Sequence, residues 1–177
     1  MKAPQLDATQ MRVMLSLSRE LFQTDEVSSS LRLVGRTVVD LVRSGSALLL
    51  LRAERLEIAA FDARGALQES GPEHPLYEAG IALMSDVAAP AAGNTRADGQ
   101  CEDVGLRSLT LAVPAHAAVA ALAVAWDHDL TPAELGRCRR TLSMILELAA
   151  AALGKIESRS SLERLVSDQS AQIATTT

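Results

Sequence analysis

The sequence predicts an α+β domain in which helices cover both faces of an antiparallel sheet and a long C-terminal helix carries the apolar seam of a coiled coil. Three observations support that expectation. Two pairs of short apolar runs, within 46–61 and 107–126, read as β-hairpins. Segments of helical period precede and separate them. Beyond residue 131 an apolar stripe with a 3-4 rhythm continues further than a compact domain needs.

Residues 10–22 place Met11, Met14, Leu15, Ser18 and Phe22 at helical spacing and leave Arg12, Arg19 and Glu20 for water. Thr24 and Asp25 are expected to cap a second helix, in which Val27, Leu31, Val34, Val38 and Leu41 recur up to a stop at Ser44-Gly45. In SALLLLRAERLEIAAFDARG the runs 46–51 and 56–61 are split by Arg52, Glu54 and Arg55, which fits a hairpin followed by a turn at 62–65. A third helix is expected from about residue 75, with Pro75 in its first turn and a wide apolar face reaching Val87. Residues 88–105 have no periodicity and read as a long irregular segment, of the kind that is often functional.

RSLTLAV at 107–113, closed by Pro114, and AVAALAVAW at 118–126 make the second hairpin. Along its last strand Val119, Ala121 and Ala123 face one way and Leu122, Val124 and Trp126 the other. Both sides are apolar, so helices are expected over each face of the sheet.

The final helix starts with Thr131 as N-cap, Pro132 at the first helical position and Glu134 completing a capping box. Leu135, Cys138, Leu142, Ile145, Ala149, Ala152 and Ile156 then follow a 3-4 spacing, Arg159 interrupts it, and Leu162, Leu165 and Val166 resume it in a shifted phase. A stutter is expected at Arg159 to Ser161. This divides the chain into a sensory body, 1–155, and a helical linker stub, 156–177. Leu135, Leu142, Ile145, Ala149, Ala152, Ile156, Leu162 and Leu165 are the expected seam of a homodimer joined through its N- and C-terminal helices.

Composition narrows the function classes. With 177 residues, 48% of them apolar, the chain is long enough for one well-filled core plus an appendage. A net charge of −5 gives no general attraction to phosphate backbones or anionic membranes, and aromatic side chains for stacking on bases are few. Direct nucleic-acid and membrane partners are therefore not expected. No apolar stretch approaches the roughly 18–20 residues of a membrane span and the N-terminus has no signal-like core, so a soluble, cytoplasmic protein is expected.

Three stretches, DEVSSSLRLVGRTVVDLVRSGSALLLLR, GLRSLTLAVPAHAAVAALAVAW and LTPAELGRCRRTLSMILELAAAAL, resemble a GAF domain over roughly residues 10–155. The layout is similar to the sensory GAF domains at the N-termini of sigma-54-dependent transcriptional activators, and related modules occur in histidine kinases and diguanylate cyclases. The resemblance implies a non-enzymatic module that senses an unidentified small molecule and controls a downstream effector domain through its exit helix. It places the ligand pocket between the sheet and the middle helix, which puts Phe61, Tyr77, Ile81, Met84, Arg107, Ser108 and Thr110 in its walls. The Asn-Lys and Asp-Glu pairs of cyclic-nucleotide GAF domains are missing, as are the bilin-attachment context and the His or Cys of the iron-binding type. No cofactor is expected.

Two features compete with that reading. Cys101, beside Asp98, Glu102 and Asp103, could serve a stand-alone GAF-fold reductase of free methionine sulfoxide, although neighbouring carboxylates disfavour its thiolate. Asp127-His128-Asp129 has metal-ligand chemistry, but consecutive side chains in a turn diverge, so no metal is expected. A ligand-free dimerisation module is the remaining alternative.

Overall fold

The computed structural model describes residues 8–52, 56–69, 71–88, 100–115 and 118–176. Its elements run α1 (Ala8–Gln23), α2 (Val27–Val42), β1 (Ser46–Arg52), β2 (Leu56–Asp62), β3 (Leu67–Gln68), α3 (Tyr77–Ala88), β4 (Cys101–Val104), β5 (Ser108–Ala115), β6 (Ala118–Ala125) and α4 (Pro132–Thr176). The strands form one antiparallel sheet in the order β3-β2-β1-β6-β5-β4. Both expected hairpins are present, and β1 and β6 pair at the centre from Ser46↔Ala125 to Arg52↔Val119.

Strand periodicity explains the layers. Leu49, Leu51, Phe61, Leu109, Leu111, Val113, Leu122 and Val124 point into a core shared with α1, α2 and α4. Leu48, Leu50, Ala60, Ala112, Ala121 and Ala123 point the other way, against Leu83 and Met84 of α3. Helices thus cover both faces, as the two-sided apolarity of 118–126 requires. The β5–β6 ladder runs through Pro114↔Val119 to Ala115↔Ala118, so Pro114 is the penultimate residue of β5, which ends one position beyond the expected closure. Pro114 is exposed and lacks only an N–H, which the ladder tolerates at a strand end.

Several helix boundaries differ from expectation. The N-cap of α2 is Glu26, without a side-chain cap bond, while the Thr24 hydroxyl donates to the carbonyl of Glu20 at 2.8 Å and so finishes α1 instead. α2 ends at Arg43, which is left-handed (φ 51°) and donates its N–H to the Val39 carbonyl at 2.9 Å. This C-cap precedes the expected Ser44-Gly45 stop. In α1 the buried stripe is Met14, Leu17 and Leu21, whereas Met11, Leu15 and Phe22 remain 52%, 65% and 42% exposed. α1 is apolar on two stripes, and packing on α2 and α4 selects one of them. β4 falls in the segment expected to be irregular.

α4 opens as expected: Thr131 N–H donates to Glu134 Oε2 at 3.3 Å and Glu134 N–H donates to Thr131 Oγ1 at 3.2 Å. Its 45 residues form one continuous helix, roughly 68 Å long at about 1.5 Å per residue. The expected stutter at Arg159 to Ser161 concerns side chains outside those described.

One close approach sets the spacing between α2 and the sheet. The ring of Phe61 lies against Gly35, where an added Cβ would come within 1.9 Å of ring carbon Cε2. Ala favours a helix interior over Gly by about 0.8–1 kcal/mol, whereas forcing a methyl into a filled core costs about 1–3 kcal/mol. Gly35→Ala is accordingly expected to destabilise the fold by about 1–2 kcal/mol in urea titrations; a gain in stability would show that the ring yields freely.

Candidate functional site

The middle layer, between α3 and the sheet, is the region in which the sequence places a pocket. The structure brings Tyr77, Ile81 and Met84 of α3 to it, with Met84 1% exposed and the other two partly buried. Thr110, 2% exposed, pairs with Ala123, and Ser108 pairs with Ala125, so strand alternation puts both on the α3 face. The expected grouping does not include Phe61, which sits on the opposite face among the residues packed by α2. Its neighbour Ala60 takes the α3 face in its place, since a one-residue step reverses side in a strand.

Arg107 does not reach the layer either. Its Nε donates to Asp129 Oδ1 at 2.6 Å, both side chains are mostly exposed, and this hydrogen bond holds the guanidinium above its ordinary pKa. The neighbouring backbone completes a clasp at the start of α4, with Trp126 N–H donating to the Arg107 carbonyl at 2.8 Å and Leu130 N–H to the Leu106 carbonyl at 3.2 Å.

Sequence periodicity passed over the floor of this layer. Ala60, Ala112, Ala121 and Ala123 give four small side chains on the α3 face, with Ala60 and Ala123 flanking Leu48 and Ala121 beside Leu50, while the opposite face sets Ala47, Ala59, Ala118 and Ala120 among Leu, Val and Phe. The alternation of β6 carries the signal, with Ala121 and Ala123 on this face and Leu122 and Val124 on the other.

Also missed were the links from the β4 edge to α4. The Ser143 hydroxyl donates to Oε1 of the fully buried Gln100 at 3.0 Å. Two residues along, Arg139 Nε lies 3.3 Å from Glu102 Oε2, and both side chains are partly buried. These pairs are separated by about 40 positions in the chain and have no local signature. They anchor the chain that follows α3 to a helix on the other face of the sheet.

The seam residues divide in two. Leu142, Ile145, Ala149, Ala152 and Ile156 are buried in the chain's own core, and Leu135 is partly covered. Leu162 and Leu165, 62% and 61% exposed, stand clear of the body. The proximal seam is therefore filled by α1, α2, β5 and β6 of the same chain, where the sequence had assigned it to a second copy.

The remaining chemistry is dispersed. Asp127 Oδ1 and His128 Nδ1 lie 2.9 Å apart on the surface, which holds the Asp127 carboxyl below its ordinary range, while Asp129 turns away to Arg107. Among the described residues no three His, Cys, Asp or Glu side chains converge as metal ligands. The backbone of Cys101 pairs with Ala112 in the β4–β5 ladder, and its side chain is outside those described. Cys138 is a half-covered free thiol whose pKa burial raises. Among the described residues no helix is long and apolar enough to cross a membrane.

This arrangement of layers and strands has known counterparts. The GAF domain of a sensor histidine kinase from Pseudomonas syringae pv. tomato superposes with a TM-score of 0.53 at 18% identity, over 91% of this chain and 94% of that one. The fold is GAF-like. CepR2, an N-acylhomoserine lactone dependent LuxR family transcription factor from Burkholderia cenocepacia, superposes with a TM-score of 0.55 at 13% identity, over 86% of this chain and 99% of that one. No protein-family model and no curated protein matches the sequence. In this GAF-like body the layer between α3 and the sheet is the candidate site.

His74, just before α3, gives a pH test of how the helix is seated. Its Nδ1 accepts the Leu76 N–H at 3.1 Å, and burial pushes its pKa below the ordinary 6.5 despite the opposing effect of Glu73. The unfolded chain then binds this proton at a higher pH than the folded one, so stability is full above about 6.5 and declines as pH falls through the folded value. His74→Asn keeps a side-chain acceptor two residues before Leu76 but does not titrate. Denaturation midpoints at pH 7.5 and 5.5 are expected to fall further for the wild type than for His74→Asn; equal falls would remove His74 as the cause.

Proposed function

We propose that this chain is a cytoplasmic regulatory domain that binds a small molecule between α3 and the sheet and passes that event through α4 to an output domain, in transcriptional regulation. The observation that carries the reading is the anchoring of the β4 edge to α4 by Gln100–Ser143 and Glu102–Arg139. α3 and α4 lie on opposite faces of the sheet, so a change of packing at α3 needs a route around the edge. Those two pairs supply one, a part-buried hydrogen bond and a partly covered ion pair that tie the edge to α4.

The alanines of this layer support a ligand there, because small side chains leave room that Leu or Val at the same positions would fill. The two structural counterparts support the class of function, one coming from a sensor histidine kinase and the other being an N-acylhomoserine lactone dependent transcription factor. A regulatory role accounts for the arrangement without assigning catalysis to any side chain.

A homodimer is part of the same proposal. The exposed apolar stripe Met11, Leu15 and Phe22 on α1 and the exposed Leu162, Leu165, Val166 and Ile173 on distal α4 are the surfaces it would cover. The distal α4 residues, beyond Ile156, span about 30 Å of helix. Parallel pairing there would present an output domain with a two-state coiled coil.

Native mass spectrometry of the chain purified from cells is expected to retain a bound small molecule. Exchange protection along 139–156 should rise with that ligand, and the rise should disappear in the Arg139→Ala/Ser143→Ala double variant while the bound mass stays. An empty protein that shows no thermal shift with any member of a metabolite library would refute sensing. Light scattering should give twice the chain mass for the full chain and the monomer mass after truncation at Ile156; a full chain of monomer mass would remove the dimer.

A further inference from the structure

A cleft of about 360 Å³ opens on the other side of the sheet, between α2 and the β2–β3 turn, lined by Ser29, Arg32, Leu33, Arg36, Phe61, Gly65, Ala66 and Leu67. It is separate from the α3 layer, since Phe61 belongs to the α2-facing core. Its volume is at the small end of the ~300–1,000 Å³ range of ligand sites.

The chemistry of the walls is divided. Leu33, Phe61 and Leu67 give an apolar interior, and Leu67 is 47% exposed although it sits on a two-residue edge strand with no other role in the core. Arg32 and Arg36 are one turn apart on the exposed face of α2, so their charges stand side by side. Among the described residues neither guanidinium is joined in an ion pair. Like charges at this spacing disfavour the helix by a few tenths of a kcal/mol, and an anion between them reverses the sign.

Two of the nearby acids are already engaged. Asp62 accepts the N–H groups of Arg64 and Ala66 at 2.9 and 3.0 Å and the Gln68 amide at 3.0 Å, and these donors hold its carboxyl below its ordinary pKa. Glu26 accepts the Ser29 hydroxyl at 3.3 Å. The turn that Asp62 organises brings Gly65, with φ +76°, against the stem of Arg36: a Cβ on Gly65 would lie 3.5 Å from Arg36 Cγ. One guanidinium is thus carried on a stem laid along a fixed turn, which lowers the entropic cost of presenting it.

We propose that this cleft is a binding site for a small monocarboxylate with an apolar body, its carboxylate held between Arg32 and Arg36 and its body lying over Phe61, Leu33 and Leu67. Paired guanidiniums match the two oxygens of a carboxylate, and the apolar walls exclude a fully hydrated anion such as inorganic phosphate. Against a net charge of −5 for the whole chain, this local concentration of positive charge is the selective feature. A bound acid would bridge α2 to the β2–β3 turn and brace the helix against which α4 packs.

Calorimetric titration of the full chain with octanoate, 1-octanol and inorganic phosphate tests the proposal. Octanoate is expected to bind saturably at one site per chain, at least tenfold more tightly than octanol or phosphate, with affinity falling as salt is raised. Arg32→Gln/Arg36→Gln, at exposed positions, should keep the thermal midpoint and lose at least tenfold in octanoate affinity. Leu67→Asp, which places a carboxylate at the mouth, should lose affinity likewise, while Ala123→Leu in the α3 layer should leave it unchanged. Equal binding of octanol, undiminished binding in the arginine and Leu67 variants, loss of binding in a folded Ala123→Leu protein, or no octanoate binding at millimolar concentration would overturn the site. The proposal is independent of sensing at the α3 layer, and Ala123→Leu separates the two.

Discussion

The two-sided apolarity of β1 and β6 is the constraint on which the rest of the structure depends. Leu48 and Leu50 alternate with Leu49 and Leu51, and Ala121 and Ala123 with Leu122 and Val124, so neither face of the central pair can meet water without loss of hydrophobic stabilisation. α3 closes one face, and α1, α2 and proximal α4 close the other. Phe61, Leu109, Leu111, Leu122 and Val124 point to the three-helix side, and Ala60, Ala112, Ala121 and Ala123 join Leu48 and Leu50 on the single-helix side. The larger buried cluster lies beneath α1, α2 and α4, and the candidate ligand layer lies on the other face.

α4 has two parts with different physics along one unbroken helix. Up to Ile156 its stripe is a wall of the core, and its Lys155 Nζ donates to the Phe22 carbonyl at 3.3 Å while lying 5.5 Å from the centre of the Phe22 ring, which fastens the end of α1 to it. Beyond that, Leu162, Leu165, Val166 and Ile173 are apolar and exposed. The β4-edge contacts to Ser143 and Arg139 fall within the core part.

The candidate site was legible in part. Tyr77, Ile81 and Met84 share a face because the helical period places them there, and Ser108 and Thr110 share one because strands alternate. Phe61 went to the other side because its register is set by pairing with Ala47 and Leu67, and pairing cannot be read from one strand alone. Arg107 left because Asp129, 22 positions later, offered a 2.6 Å partner at the surface. The cleft of Arg32 and Arg36 needed the β2–β3 turn to approach α2, which no local pattern encodes.

By itself, the sequence determined the kinds and order of the long elements, the coverage of both sheet faces and the start of α4, since these follow from period and from capping chemistry confined to a few adjacent residues. Only the tertiary structure decided which apolar stripe of α1 is buried, that the proximal seam of α4 belongs to the chain's own core, and that CEDV at 101–104 forms an edge strand. Periodicity states that a face must be covered and is silent about what covers it. That choice rests on packing and hydrogen bonds between residues remote in the chain, where closure entropy and shape select among partners that are locally equivalent.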